Sequence, residues 1–379
     1  MVKKVTGIDR MKVKDVLKYG NLHQLAGVLP LRLTDGPEEG VRGALIRSGS
    51  GLNLLVLADR GMDIGLAEFE GKNLNWNSNT GFLHPSYFEP EGKGWLRGFY
   101  GGFLTTGGLT YMGAPSIDKG EVLGLHGRAS YIPARRFCDA SGWEGDDYII
   151  RVSGEIRETA MFGPDVCLKR EIKVKFGERA FTLIDTVVNE GYEITPFMIL
   201  YHFNLGYPLL SPASKFVSSS TLYVPRDEEA WEGHEEFDKV EPPTNGYKEK
   251  VYFHDLAADD QGFCYAGLVN GDWGVSFKFQ KHQLRRLIQW KMLGQGTYVL
   301  GIEPANSLVM GRAEERRWGT LEELKPGEEK KIEIIVEILK GKDEVQEFQA
   351  KIKDITDGQP PKVAKDVDEF VELTKRARW

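Results

Sequence analysis

The chain has 379 residues, 41% hydrophobic and 28% charged, which is the balance of a soluble globular protein and excludes a disordered or fibrous one. Its formal net charge is −7, with acidic and basic residues mixed along most of the chain, so the basic stripe of a nucleic-acid binder is absent. Cys138, Cys167 and Cys264 lie far apart with no C-x-x-C spacing, which indicates neither a zinc knuckle nor a disulfide framework.

Residues 1–30 carry a short helical pattern, with Val13, Val16 and Leu17 on one side followed by Leu22 and Leu25, expected to be a lead-in that packs on the main body. From Leu31 the pattern changes to strands and turns. Val41–Arg47 and Leu52–Ala58 read as paired strands, and Ile64–Glu70 as another. Residues 75–120 are irregular and rich in Gly, Trp, Tyr and Phe, a composition that builds binding surfaces. Within them Gly101–Gly108 is expected to be a turn region lining the cleft. Val166, Leu168, Ile172, Val174 and Phe176 alternate with charged residues at period two, the pattern of a strand with one wet face. Strands follow at Phe181–Asn189 and Pro196–Asn204. Residues 210–250 are polar and turn-rich, an expected excursion loop. Strands resume at Gly262–Leu268, Trp273–Phe279, Gln283–Met292 and Thr297–Glu303, and Ile332–Ile338 makes the last. Residues 341–379 change again: Val345, Phe348, Ile352 and Ile355, then Val367, Phe370 and Val371, recur at helical spacing. These two helices are expected to cover the sheet or to join subunits into a homo-oligomer.

Many short strands with sequential turns and few helices predict an all-β fold, a large antiparallel sandwich over residues 31–340 with short helices at both ends. No apolar run has signal-peptide or membrane-spanning length, and the expected location is the cytoplasm, with no membrane or nucleic-acid partner.

Several places carry residue types that do chemistry. His202 ends the apolar run Pro196–Leu200 and, in an extended strand, shares a face with Met198, Leu200 and Asn204. A histidine titrates at roughly 6.5 and so gives or takes a proton near neutrality. Glu303 closes a second apolar strand, where burial raises a carboxyl into the range of a general base. His126 sits between glycines in Gly124-Leu125-His126-Gly127-Arg128, a setting where backbone approaches a ligand closely. Arg60 follows a strand between Asp59 and Asp63, which would hold its fork as a rigid donor. Trp290 offers an apolar plate for a pyranose face, and Lys291 a cation for an oxygen. Each residue has a plainer reading, as a salt bridge, a satisfied core histidine or a core tryptophan. No Walker-type phosphate loop and no G-x-S-x-G elbow is present. Two imidazoles and a carboxylate are also a normal zinc or iron set, but no H-x-H or H-E-x-x-H spacing occurs.

Arg60 after a strand, Leu125-His126-Gly127, Tyr201-His202-Phe203-Asn204-Leu205 and Gly301-Ile302-Glu303-Pro304 occur in an order that resembles the aldose 1-epimerases, or galactose mutarotases. The phrases Asp35-Gly36-Pro37-Glu38-Glu39-Gly40-Val41-Arg42, Asp59-Arg60-Gly61-Met62-Asp63-Ile64 and Leu125-His126-Gly127-Arg128 resemble more closely the bacterial branch of that superfamily labelled as a domain of unknown function. The resemblance covers residues 31–340 and implies a galactose-mutarotase-like β-supersandwich. It implies Glu303 as general base, His202 as general acid, and Arg60 and His126 as ligands of the sugar hydroxyls and ring oxygen. Arg128, Asn204, Trp290 and Lys291 are the further candidate substrate contacts. The chain departs from the mutarotases proper in having only Phe203 after the histidine and Pro304 after the glutamate, so the sugar need not be galactose or glucose. Arg60, Arg128 and Lys291 would permit an anionic sugar.

The expected activity is interconversion of sugar anomers by one acid and one base, without cofactor or metal. The alternatives are a non-catalytic sugar-binding or sensor protein, and a metal-dependent sugar isomerase or lyase.

Overall fold

The period-two segments do become strands, and their burial follows the alternation. In the strand Asp165–Lys175, Val166, Leu168, Ile172 and Val174 are buried while Lys169, Glu171 and Lys173 meet solvent to varying degrees. The computed structural model describes Lys18 and residues 20–375.

Among the described residues a nine-stranded sheet runs Arg135–Asp139, Asp147–Thr159, Asp165–Lys175, Ala180–Asn189, Glu329–Lys340, Trp273–Gln280, Phe263–Asn270 and Ser214–Ser218, with Gly142–Glu144 paired beside the second of these. An eight-stranded sheet runs Glu322–Leu324, Thr195–Leu205, Thr297–Ala305, Arg286–Gly294, Lys250–Leu256, Ser220–Pro225 and Lys362–Val363, with Leu104–Leu109 paired to Thr195–Leu205. A five-stranded sheet takes up Gly27–Asn73. All three contribute to one core. Ile172, Leu183, Phe277 and Ile334 come from the first sheet, Ile199, Phe203, Leu205 and Ile302 from the second, and Ile46, Val56 and Ile64 from the third.

The strand Thr195–Leu205 positions the site. It is buried along nearly its whole length, because each face has its own cover. Ile199, Tyr201, Phe203 and Leu205 point into the shared core, whereas Met198 and Leu200 belong to a second apolar cluster with Val224, Phe253, Phe370 and Val371. Part of the outer face of the eight-stranded sheet is thus covered by the helix Val367–Lys375. The helix Lys342–Ile355 covers the other large sheet, packing Val345, Phe348 and Ile352 on Tyr265, Val269 and Leu339. Both tail helices cover sheets, as one of the two expectations had it.

Four expectations about elements need correction or restriction. Val13, Val16 and Leu17 lie outside the described residues; of the expected lead-in helix, Leu22–Gln24 is a single 3-10 turn and Gly27 already begins a strand. The glycine-rich segment read as a turn contains the strand Leu104–Leu109, because Gly107 and Gly108 let it lie close against Leu200 and Met198. Residues 210–250 are not a plain loop: they supply the strands Ser214–Ser218 and Ser220–Pro225 and the short helix Glu228–Trp231, capped by the Asp227 carboxylate. The last of the four concerns Pro304, which does not end its strand. Thr297–Ala305 runs through it, and Pro304 faces Leu287 in the neighbouring strand.

Candidate active site

Register brings His202 and Glu303 together. Thr195–Leu205 and Thr297–Ala305 are antiparallel, with Leu200 opposite Ala305 and Phe203 opposite Ile302, which sets His202 across from Glu303. Pro304 has no N–H to donate, and the ladder between these strands is interrupted at the same point. Both side chains leave the core side of the sheet and project on its outer face. His202 Nε2 lies 3.2 Å from Glu303 Oε1. Gly301 makes room for the pair: a Cβ there would fall 2.5 Å from Glu303 Oε1 and 3.3 Å from His202 Cε1.

His126 comes from a loop strapped to the neighbouring strand. His126 N donates to Gly113 O, and its own carbonyl accepts from Gly108 N. It holds a left-handed φ of +54°, and the following Gly127 packs so tightly that a Cβ would meet Gly108 O at 2.3 Å. The result places its ring edge-on to His202, with centroids 6.1 Å apart. Trp95 lies 4.8 Å from His126, and Phe99 and Trp290 each 5.3 Å from His202. These rings line a cavity of about 420 Å³ that also takes in Lys93, Arg226, Asp227 and Glu249. Its volume suits a sugar-sized ligand.

The polar groups of this cavity are unusually unsatisfied for buried atoms. Trp95 Nε1, His126 Nδ1 and His202 Nδ1 have no hydrogen-bond partner among the described residues, and Glu303 Oε1 has only the 3.2 Å approach of His202 Nε2. Their electrostatics follow from burial. Burial holds the Glu303 carboxyl well above its usual range, with Glu249 pushing the same way and Arg226 opposing. Burial also holds His202 well below its usual value, helped by the His126 ring and opposed by the Asn204 side chain. His126 is pushed down to about 4, first by burial. Burial thus favours the uncharged form of all three groups. No three His, Cys, Asp or Glu side chains among the described residues come together as a metal site.

Residues 38–338 match the model of a family described as a domain of unknown function (DUF4432). The chain belongs to this family. No curated protein matches it. Among solved structures, the chain is similar to a "putative aldose 1-epimerase" from Klebsiella pneumoniae subsp. pneumoniae MGH 78578, at 26% identity, TM-score 0.86 and 96% coverage of both chains. It is also similar to a galactose mutarotase-like protein from Clostridium acetobutylicum, at 12% identity and TM-score 0.59 over 84% of this chain and 99% of that one. A galactose 1-epimerase from Lactobacillus acidophilus NCFM gives 13% identity and TM-score 0.55 over 83% and 99%. This member of the DUF4432 family therefore has the galactose-mutarotase-like sandwich that its motifs implied.

In this family member the structure brings together His126, His202, Trp290 and Glu303, all of which line the cavity. It does not bring Arg60, Arg128, Asn204 or Lys291 to that lining. Arg60 is fully buried, its Nε, Nη1 and Nη2 donate to the carbonyls of Ser130, Leu83 and Gly98, and its guanidinium lies between the rings of Tyr100 and Tyr131. Asp59 does not hold it; that carboxylate accepts from Arg42. Arg128 is exposed and lines a separate depression with Tyr111, Glu121 and Glu158. Asn204 gives its amide to Gly101 O and His202 O, fixing the strand beneath the site. Lys291 is one position along from Trp290 and so faces away, toward Glu241.

Among the lining residues that sequence reasoning passed over are Lys93, Trp95, Phe99, Arg226, Asp227 and Glu249. Trp95 and Phe99 lay in the aromatic-rich stretch already suspected of building a surface. Arg226, Asp227 and Glu249 lay in the segment read as a loop, where Arg-Asp following the apolar run Leu222–Val224 was the one available signal.

Proposed function

We propose that this protein interconverts the anomers of an aldose, with Glu303 as base and His202 as acid. The observation that carries the reading is the 3.2 Å approach of two buried, oppositely perturbed proton carriers in an aromatic-walled cavity. The names of the similar structures, a "putative aldose 1-epimerase" and a galactose 1-epimerase, support the same reading.

Mutarotation needs little apparatus. The O1 hydroxyl loses its proton to Glu303, C1=O1 forms as the bond from C1 to the ring oxygen breaks, and the ring oxygen takes a proton from His202. Rotation about C1–C2 and the reverse steps give the other anomer. No redox change occurs, so the sequence of steps calls for no cofactor. A well-placed acid and base each contribute about 10²–10⁴-fold.

The pair carries one proton in either of its neutral-overall forms. Glu303 carboxyl with neutral His202 converts to carboxylate with imidazolium by moving that proton across 3.2 Å. A sugar hydroxyl donating to the Glu303 carboxyl group favours the carboxylate form, which is the reactive one in this direction. Ring opening converts the carboxylate–imidazolium form into the carboxyl–imidazole form, and ring closure restores it. Trp95, Phe99 and Trp290 supply apolar plates for the C–H face of the ring, and the unpartnered nitrogens of His126 and Trp95 are available for hydroxyls.

Exchange NMR between anomeric signals tests the proposal across a panel of neutral, acidic and sulfonated aldoses. Faster exchange for at least one sugar, lost in Glu303→Gln, is the expected result. Binding without acceleration across the whole panel would leave a sugar-binding protein and overturn the enzymatic reading.

A further inference from the structure

We infer that Arg226, not Arg60, is the arginine that hydrogen-bonds the sugar oxygen on which negative charge develops, and that Asp227 and Glu249 are its positioning residues. This inference rests on the anomer-interconverting reading of the same cavity.

Ring opening passes negative charge from one sugar oxygen to another, and a fixed cation at that oxygen stabilises the transition state more than the ground state. The arginine implied for this work, Arg60, does not line the cavity: it is fully buried, and its three nitrogens bond to the carbonyls of Ser130, Leu83 and Gly98. The cations that do line the cavity are Lys93 and Arg226. Lys93 is exposed, on a flexible stem with no side-chain partner among the described residues.

Arg226 is built in. Its backbone N donates to Val251 O, its Nε to Asp227 Oδ2 at 2.7 Å and its Nη2 to Glu249 Oε1 at 3.0 Å. The other oxygen of Glu249 accepts from Trp290 Nε1 at 2.8 Å, tying the guanidinium to the aromatic wall. Two carboxylates thus fix the fork, while Nη1 makes no hydrogen bond among the described residues and stays available. Its charge is also felt where the chemistry would occur, since it acts on both Glu303 and His126. The carboxylates of Asp227 and Glu249 offset the guanidinium, so the site steadies a transient charge without collecting a permanent anion.

Chemical rescue separates this role from a structural one. With whichever aldose the panel identifies, Arg226→Ala should lower kcat by about 10²–10³-fold, the usual cost of losing one such donor, with a smaller change in KM. Guanidinium or ethylguanidinium at millimolar concentration should recover part of kcat in Arg226→Ala and none in Glu303→Gln. Arg226→Lys should recover less than the added guanidinium, since a point charge cannot reproduce the fork. A kcat within threefold of wild type in Arg226→Ala, or a loss that no guanidinium compound restores in protein that still melts like wild type, overturns the assignment. If no aldose is turned over by wild type, the enzymatic reading has failed by itself. Arg226 is then tested as a sugar ligand through intrinsic tryptophan fluorescence, where equal sugar affinity in wild type and Arg226→Ala sinks it.

Discussion

Tyr201 and His202 are neighbours on one strand, yet they enter two buried polar clusters of opposite character. On the core side, the Tyr201 hydroxyl donates to Asp185, and Asp185 accepts Nε and Nη2 of Arg170. Arg170 Nη1 in turn reaches Asp63 and Gly61 O, and Asp63 also accepts from the Thr106 amide and hydroxyl. No nitrogen or oxygen of these side chains is left over. On the outer side, His202 and Glu303 are also buried and His126 is half-buried, but Nδ1 of both rings has no partner and Oε1 of the carboxyl has only the 3.2 Å approach of His202. A buried polar group left unpaired costs about 1–3 kcal/mol, so a cluster of them persists only where something else rewards it. The first cluster holds the sheets together, and the second leaves polar atoms uncommitted beside the cavity. Arg60 and Arg226 repeat the contrast: one has every nitrogen bonded to the chain's own carbonyls, the other is clamped at one edge and free at another.

The sharpest way to break this comparison is to remove a member from each side. Glu303→Gln should lower kcat by about 10²–10⁴-fold, measured by anomeric exchange, with no loss in urea midpoint. The substitution keeps shape and replaces a carboxyl whose uncharged form burial favours. Arg170→Ala should do the reverse and destabilise by about 3–5 kcal/mol in urea unfolding, because it strands Asp63 and Asp185 without their cation. A Glu303→Gln protein that unfolds more easily than wild type would show that the site pair is structural after all.

The pH dependence of stability should also divide the two clusters. His126 falls from 6.5 to about 4 on burial, so its contribution is fully present above 6.5 and is lost as pH falls through 4. Asp63 rises from 3.8 to about 6, first by burial against the pull of Arg170, so its contribution is present below 3.8 and is lost as pH rises through 6. His126→Gln should therefore lose less melting temperature than wild type between pH 7 and pH 4, read by scanning fluorimetry. Equal losses would mean that His126 titrates normally in the folded protein. The mildest expected effect is that of Lys291→Met, whose side chain faces Glu241 away from the cavity: kcat and KM within about twofold, and stability within about 1 kcal/mol, the scale of a partly exposed pair.

Strand after strand was readable from period-two alternation, and His202 was correctly placed on the face of Met198, Leu200 and Asn204, because side-chain direction in a strand is a local property. The alternation carries no information about partners far along the chain. It placed Glu303 at a strand position but could not show that register sets it opposite His202, nor that Gly301 is a glycine because those two side chains occupy its Cβ space. Arg60 looked like a donor held by two nearby carboxylates, and only packing reveals that Asp59 serves Arg42, Asp63 serves Arg170, and Arg60 is spent on carbonyls tens of residues distant. Arg226 was missed for the converse reason: a polar segment reads as a loop until tertiary structure sets its strand beside Lys250–Leu256 and turns it toward the cavity. Direction follows from neighbours in sequence. Satisfaction of a buried polar group depends on neighbours in space, and it is satisfaction that separates the residues holding this fold from those left free to act.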